Sequence, residues 1–416
     1  MPVIKPFKAF RPEPKLVTKV ASPPYDVLNS EEARQLVKDN PHSFLHVNKA
    51  EIDLDSSVEH YDQKVYEKAS ENLNKLIKER VYLQDEQEKI YIYRQIMKGR
   101  IQTGLVVCVS IDDYLEGKIK KHENTRADKE KDRINHIDFT DANTGPVFMT
   151  YKATTEITEV LNKWVKEKEP VYDFTSEDEI THTCWIIDDA QTIQQLINTF
   201  AKIDYLYIAD GHHRAAAATK VGLKRREQLK NYTGKEEFNY FLSVLFPHDE
   251  LYIMDYNRVV ADLAGNSEEE FIQKISKKFT IEEYSGEGPY RPEARHTFGM
   301  YLNNYWYKLT AKPGTFNEDD AVDSLDVSIL QNNLLTPILK IEDPRTDQRI
   351  EFIGGIRGLE ELEKRVKAGM KVVFSLYPTS IEELMKVANA EKLMPPKSTW
   401  FEPKLRSGIF IHKLSG

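Results

Sequence analysis

The chain has 416 residues, of which 40% are hydrophobic, and 58 Lys and Arg against 67 Asp and Glu give a formal charge of −9. This composition excludes wholesale disorder, and no apolar run approaches the ~18 residues that a membrane-spanning helix needs. The charged N-terminus is not typical of an export signal, and two cysteines cannot build a disulfide framework or a four-Cys zinc site. We therefore expect a cytoplasmic protein of two or three domains, and its acidity argues against a dedicated nucleic-acid binder.

Helical and strand-like segments alternate from the start of the chain. A cap-like Ser30 begins a helix that stops near Pro41. The next predicted helix is longer, and its apolar face is formed by Val65, Ala69, Leu73 and Leu76. Two strands follow around a Lys98-Gly99 turn, which predicts a hairpin.

The middle of the chain continues this alternation. A strand (ITHTCWIID) and a helix precede the short buried strand YLYIAD, and an Ala-rich helical segment, residues 212–230, follows at once. Two more strands are predicted around residues 248–250, and the composition shifts weakly after residue 260. The sequence therefore predicts an α/β (α+β) protein with a mixed sheet, a first region over residues 1–260 and a second α/β lobe over 261–416.

The first candidate site is the turn Asp210-Gly211-His212-His213-Arg214, where a strand ends and a helix begins. Unpaired N–H groups and the positive end of the helix dipole make such a turn an anion site, and Arg214 adds a fork of donors. The histidines can donate to phosphate or move a proton, and Asp210 can hold Mg²⁺ or orient a histidine. The alternative is a capped helix start with surface histidines, but two histidines and an arginine together favour function. A zinc site is a weaker rival, because adjacent histidines tend to point apart.

The second candidate is the basic segment over residues 118–126, which contains Lys121, His122, Glu123, Thr125 and Arg126. A single glutamate within such a positive field stays ionised, as a general base requires. A solvated loop between strands explains the same residues equally well.

Three further segments have weaker signals. Tyr25 and Asp26 follow two prolines in a rigid turn, and residues 143–148 form a turn into a strand; both have ordinary structural explanations. The C-terminal loop over residues 394–406 is equally consistent with packing and with an anionic ligand. Its candidate binding residues are Lys397, Ser398, Thr399 and Lys404.

Five motifs in this order, PPYDV, KKHENT, TGPVF, ADGHHRAAAA and PPKSTWFEPKLRSG, resemble a widespread bacterial family long described only as a domain of unknown function. The resemblance covers nearly the whole chain. The segment around DGHHR is also similar to the phosphate-binding turn of the ParB/sulfiredoxin superfamily, to which the free serine kinases belong. The resemblance therefore implies that residues 1–260 are a catalytic region with a ParB/sulfiredoxin-like core.

The resemblance also implies an activity, the transfer of a phosphoryl group from pyrophosphate to free L-serine with Mg²⁺, which gives O-phosphoserine. By this similarity the segment from Gly211 to Arg214 binds phosphate. Its chemistry also makes His213 a catalytic candidate, and Lys121 and His122 are expected to bind phosphate as well. Glu123 matches the glutamate that free serine kinases use as the base. We also expect the C-terminal PPKSTWFEPK loop to return to the site.

Three other functions are weighed against this one. An ATP- or ADP-dependent serine kinase would use the same turn. A ParB-like nucleotide switch on nucleic acid usually has a helix-turn-helix after the turn, and here a helix and two strands follow it. A sulfiredoxin-like reductase needs a cysteine where His212 stands. The expected partners are L-serine and pyrophosphate, with no nucleic acid and no membrane, and a homo-oligomer is left open.

Overall fold

The computed structural model describes residues 1–229 and 231–415. The chain divides into two compact units, one formed by Met1–Leu251 with Pro403–Gly416 and the other by Tyr252–Glu402. Both contain helices and sheet, so the predicted α/β class with a mixed sheet is confirmed. Lys230 and Gly416, which end the predicted Ala-rich segment and the predicted second lobe, lie outside the described residues.

The first unit contains most of the secondary structure. Its strands are β1 Ile4–Lys5, β2 Phe10–Pro12, β3 Tyr82–Gln84, β4 Ile90–Met97, β5 Arg100–Ser110, β6 Ile119–Lys120, β7 Ala142–Asn143, β8 Val147–Tyr151, β9 Tyr172–Thr175, β10 Thr181–Ile187, β11 Leu206–Asp210 and β12 Tyr240–Pro247. Its helices are α1 Val17–Val20, α2 Ser30–Val37, α3 Leu45–Asn48, α4 Gln63–Lys78, α5 Ile111–Leu115, α6 Ala127–Thr140, α7 Thr155–Glu167, α8 Ala190–Phe200 and α9 His212–Gln228.

A nine-stranded mixed sheet forms the centre of this unit. Its order is β6-β11-β8-β12-β5-β4-β10-β9, with β1 beside β5. The predicted hairpin is confirmed, since β4 and β5 pair and both turn residues have positive φ, 49° at Lys98 and 80° at Gly99. Strand β11 is parallel to β6 and antiparallel to β8. Its end at Asp210 therefore lies one strand in from an edge of the sheet.

Local sequence explains helices α2 and α4. The apolar face predicted for α4 is buried, and Leu73 is only 1% exposed. Helix α2 begins as predicted, but its cap is Asn29 and not Ser30, because the Asn29 side chain accepts from the Glu32 N–H while Glu32 accepts from the Asn29 N–H. The two cysteines, Cys108 and Cys184, are free and buried.

Helix α9 packs closely on its neighbours because its inner face consists of small residues. Ala215 and Ala217 are fully buried in the main core with Ile208 of β11. A Cβ atom placed on Gly222 would lie 2.4 Å from the Phe238 carbonyl oxygen and 2.7 Å from Cδ1 of Ile111.

We expect Gly222→Ala to lower the free energy of unfolding by about 1–3 kcal/mol, the usual cost of overpacking. In an open helix the same change would be stabilising, because alanine is the better helix former. Urea unfolding followed by circular dichroism measures the difference. A variant as stable as the parent would contradict the close approach of α9 to Phe238.

The second unit has a sheet of its own. Its strands are β13 Tyr252–Met254, β14 Tyr256–Val260, β15 Phe279–Glu283, β16 Thr297–Leu302, β17 Tyr305–Ala311, β18 Ile350–Gly354, β19 Val372–Leu376 and β20 Trp400–Glu402. Its helices are α10 Glu268–Ile275, α11 Asp326–Leu330, α12 Glu360–Lys367 and α13 Ile381–Asn389, and the last strand of the chain, β21 His412–Lys413, belongs to the first unit. The larger sheet has the order β15-β17-β16-β19-β14-β18.

The strand after residue 250 explains why the units divide where they do. The predicted boundary near residue 260 falls just after β14, and β14 pairs with β18 and β19 of the second unit. Within the second unit, α11 is followed directly by one π-type turn, Gln331–Leu335. Among the helices of residues 1–229 and 231–415, none has both the length and the apolar character needed to cross a membrane.

Candidate functional site

The turn between β11 and α9 forms the centre of the candidate site. Gly211 has φ 99° and ψ 30°, a left-handed conformation that favours glycine. A Cβ at this position would lie 3.0 Å from Cζ of Arg214, so the guanidinium lies directly over the glycine. Arg214 Nη1 also donates to the Pro146 carbonyl. The first N–H groups of α9 and a fixed arginine fork thus converge at one turn, as anion binding requires.

Asp210 at the end of β11 is paired with two cations. Its Oδ2 accepts from Lys404 Nζ at 2.9 Å, and its Oδ1 lies 3.8 Å from Arg214 Nη2. Burial alone would raise the pKa of Asp210, but Lys404 and Arg214 lower it to a net value well below the usual range. Lys404 thus lies beside the turn. The predicted Mg²⁺ ion fits Asp210 poorly, because both carboxylate oxygens already face cations.

Two histidines and a glutamate meet beside the turn. The rings of His122 and His212 are 4.5 Å apart and perpendicular at 88°, and His212 Nδ1 lies 3.8 Å from Glu123 Oε2. Both histidines are buried, which lowers the pKa of His122 to about 4 and the pKa of His212 well below its usual value. The two rings are therefore neutral at pH 7. Glu123, in contrast to the buried histidines, has 40% of its side chain exposed.

His213 lies on a different side of α9 from His212. Its Nε2 accepts from the Arg126 N–H at 3.0 Å, which ties the basic segment to the helix start. Burial lowers the pKa of His213, although Asp26 and Glu130 nearby act in the opposite direction. His213 is thus mainly neutral at pH 7 and is held by the backbone of the basic segment.

Other side chains of the basic segment have local partners. Lys121 Nζ lies 4.5 Å from the centre of the Tyr114 ring, and Thr125 Oγ1 donates to Glu130 Oε2 at 2.8 Å. The Arg126 guanidinium pairs with an aspartate two residues further on. These contacts shape the segment around His213 and Glu123. The phosphate-binding role of Lys121 and the substrate-binding or supporting roles of Thr125 and Arg126 stay predictions.

A cleft opens on the Arg214 side of the turn. We call it the Arg133 cleft, and its polar lining includes Tyr25, Arg133, His136, Thr144, Arg214 and Ser407. Arg133 is only 8% exposed. Its Nε and Nη2 donate to Asp132 Oδ2 at 2.9 and 2.7 Å, and its Cζ lies 4.0 Å from the centre of the Tyr25 ring. The guanidinium is therefore held rigidly in place.

Arg133, His136 and Ser407 line the cleft but were not predicted as site residues. Helix α6 supplies Arg133 and His136, and burial lowers the pKa of His136 to about 4. The turn over residues 143–148, for which a structural role was favoured, also lines the cleft through Thr144. The strongly charged stretch after residue 126 was the available signal, but a buried arginine cannot be distinguished there from solvated ones.

Three of the predicted C-terminal residues belong to the second unit and have local contacts. The backbone carbonyl of Lys397 accepts a hydrogen bond from Arg258 Nη2 at 3.0 Å. Ser398 Oγ donates to the Pro395 carbonyl at 2.6 Å, and Thr399 is half-buried. Their predicted binding role stays a prediction.

Among residues 1–229 and 231–415, the grouping that could hold a metal ion is His122, Glu123 and His212, whose ligand atoms lie within 4.8 Å of one another. Two imidazoles and one carboxylate suit zinc or cobalt, whereas Mg²⁺ prefers oxygen ligands only. The N–H of His122 reaches His212 Nε2 at 3.5 Å, the outer limit of a hydrogen bond, so this contact does not prevent ligation by His212.

We expect metal-free protein to bind Co²⁺ or Zn²⁺ at this grouping more tightly than Mg²⁺. His212→Ala should weaken Co²⁺ binding at least ~10-fold, because it removes one of three protein ligands. Titration with Co²⁺, followed by visible absorption, measures it. His213→Ala is the matched control, since the neighbouring histidine is not part of the grouping. Equal losses in both variants would contradict the prediction.

The comparisons with known proteins identify a family. A family model described as "Protein of unknown function (DUF1015)" matches residues 4–328, so the chain belongs to this family and the predicted membership is confirmed. No curated protein matches the chain.

Similarity to solved structures is more distant. A free serine kinase variant in complex with AMP shares 14% identity, with 73% of this chain and 91% of that chain covered and a TM-score of 0.38. A conserved hypothetical protein from Pyrococcus furiosus shares 14% over 73% and 94%, with a TM-score of 0.37. A C-terminally truncated SbnI from Staphylococcus aureus shares 12% over 73% and 85%, also at 0.37. At such values these similarities establish neither an activity nor a substrate.

Proposed function

We propose that the protein is a small-molecule kinase that transfers a phosphoryl group from pyrophosphate to the hydroxyl of free L-serine. The observation that carries this proposal is the Arg214 guanidinium over Gly211 at the start of α9. A helix N-terminus, a fixed fork and the nearby Lys404 ammonium form a cradle for a polyphosphate. Phosphoryl transfer depends mainly on such positioning and charge stabilisation.

The residues of the turn and of the basic segment then have separate roles in the reaction. Gly211 lets the donor approach the backbone, Arg214 binds its oxygens, and His213 donates to the transferring group. Glu123 accepts the proton of the serine hydroxyl, and the neutral His212 beside it, 3.8 Å away, orients the carboxylate. Lys121 and His122 contribute further to phosphate binding.

The phosphoryl transfer is a single displacement at phosphorus. The serine oxygen forms a bond to phosphorus while the bond from phosphorus to the bridging oxygen breaks, and that oxygen leaves with its electron pair on the second phosphate. The proton passes to Glu123 and from there to water, and the leaving phosphate takes up a proton from water, so that pyrophosphate and serine give O-phosphoserine and orthophosphate. Mg²⁺ would be held mainly by the donor's own oxygens and by water, since Asp210 is already paired with Lys404.

The chemistry of the cradle leaves one alternative class of donor. Arg214 and the helix start recognise phosphate oxygens and no base or sugar, so ATP or ADP could use the same turn. A ParB-like switch would instead hydrolyse or hold a nucleotide without an amino-acid acceptor. The donor is therefore the variable to test.

The decisive experiment incubates the protein with L-serine and Mg²⁺ and, separately, pyrophosphate, ATP, ADP and CTP. Mass spectrometry detects O-phosphoserine, and a phosphate assay detects the released orthophosphate. We expect both products in equal amounts with pyrophosphate. If O-phosphoserine forms only with ATP or ADP, the donor is a nucleotide and not pyrophosphate. If CTP is turned over independently of serine, the protein is a nucleotide switch and not a kinase.

A further inference from the structure

The two sides of the α9 start differ in chemistry. Successive residues of an α-helix are about 100° apart around its axis, so His212 and Arg214 point about 200° apart. Glu123 lies beside His212, whereas the Arg133 cleft is lined by Arg214. The candidate base and the cleft are thus on opposite sides of the phosphate turn.

Phosphoryl transfer needs this kind of arrangement, because the attacking and leaving oxygens lie roughly in line on opposite sides of the phosphorus. With the transferring group at the start of α9, a hydroxyl deprotonated by Glu123 attacks from the His212 side. The leaving group must then depart on the Arg214 side. We propose that the Arg133 cleft binds the leaving phosphate of the donor and that Arg133 is its anchoring cation. This inference rests on the proposed function.

The charges of the cleft favour a phosphate over the acceptor. Its described lining contains two arginines, Arg133 and Arg214, and no acidic side chain. Asp132, the acid next to Arg133, is bound by that guanidinium, and its other oxygen accepts from the Tyr66 hydroxyl at 3.0 Å. The α-ammonium of serine would be repelled between two guanidinium groups, whereas a phosphate dianion is attracted by both.

The fixed position of the Arg133 guanidinium also suits the binding of a leaving group. Its contacts with Asp132 and with the Tyr25 ring fix the plane of the fork before a ligand arrives. A donor group that is held in place in this way stabilises charge as it develops on the bridging oxygen, without reorganisation during the reaction. Arg133 therefore acts on the donor and not on serine.

The test uses Arg133→Met and Arg133→Lys in the full chain, with steady-state kinetics for both substrates and product inhibition by orthophosphate. We expect Arg133→Met to raise the KM for pyrophosphate and the inhibition constant of orthophosphate at least ~10-fold, with the KM for serine within about twofold of the parent. Arg133→Lys should recover part of the loss, because it keeps the charge without the fork.

Arg226→Met is the matched control, since Arg226 of α9 also forms a two-pronged pair with an aspartate, at 2.7 and 2.9 Å to Asp112. It should leave both KM values unchanged, and thermal unfolding checks that all variants are folded. A rise in the KM for serine alone, or an Arg133→Met variant with normal orthophosphate inhibition, overturns the inference.

Calorimetry with inorganic phosphate separates this inference from the proposed function. Suppose that the protein makes no O-phosphoserine, but that Arg133→Met weakens its binding of phosphate about 10-fold. This result would refute the serine kinase activity and still support an anion site at Arg133. Protein that makes O-phosphoserine with unchanged phosphate binding in the variant would overturn only the leaving-group site.

Discussion

Replacing Arg214 by alanine is expected to weaken pyrophosphate binding by about 10- to 100-fold. A forked, charge-assisted contact is worth ~1.5–3 kcal/mol, and each 1.4 kcal/mol is about tenfold in affinity. The change also removes the guanidinium that covers Gly211 and one of the two cations beside Asp210. The repulsion between the donor and Asp210 then adds to the loss.

Calorimetry with pyrophosphate and Mg²⁺ measures this effect directly. Arg214→Lys should lose less, because it keeps the charge. Arg225→Ala is the control on the same helix, where Arg225 lies 3.6 Å from Asp138 and outside the turn. If Arg214→Ala binds pyrophosphate as the parent does, the DGHHR segment is only the start of a helix.

The position of this turn could be predicted because its signals are local. An apolar strand, a glycine and an Ala-rich run lie next to one another in sequence, so the strand, the left-handed Gly211 and the helix start follow from neighbouring residues alone. The Lys98-Gly99 hairpin was predicted for the same reason.

The partners of the turn could not be predicted, because they come from distant parts of the chain. The pair between Lys404 and Asp210 joins residues 194 positions apart. Likewise, Arg133 lies among six charged residues between positions 128 and 133, all of which look solvent-exposed in the sequence. Only the packing of α6 against α9 and the Tyr25 loop buries this one arginine and aims it at a cleft.

The division of the chain illustrates the same limit on sequence reasoning. The segments on either side of residues 248–250 are both strands, as predicted, and look like one hairpin. In the structure β12 pairs with β5 and β8 of the first sheet, whereas β14 pairs with β18 and β19 of the second. Strand character is a local property, but the choice of partner depends on residues almost 100 positions further on, such as Ile353 opposite Asn257.

The largest effect is expected for Glu123→Gln, which should lower kcat about 10²- to 10⁴-fold, the usual contribution of a positioned general base. A serine hydroxyl is a poor nucleophile at neutral pH, so its proton must be taken as the new bond forms. Glutamine has nearly the same shape as glutamate but cannot accept that proton. The affinity for pyrophosphate should hardly change, because Glu123 lies on the His212 side of α9 and Arg214 on the other.

Steady-state kinetics with both substrates varied separates the two effects of Glu123→Gln, and a single-turnover experiment shows whether the chemical step is the slow one. Glu116→Gln is the matched control, since Glu116 precedes the same segment and pairs with Lys118 at 2.7 Å. A Glu123→Gln variant with near-normal kcat, or one that is defective only in pyrophosphate binding, would assign the base to another acid. Asp26 would then be the first candidate, because it is exposed and close enough to His213 to affect its pKa, whereas Asp210 is already paired with Lys404.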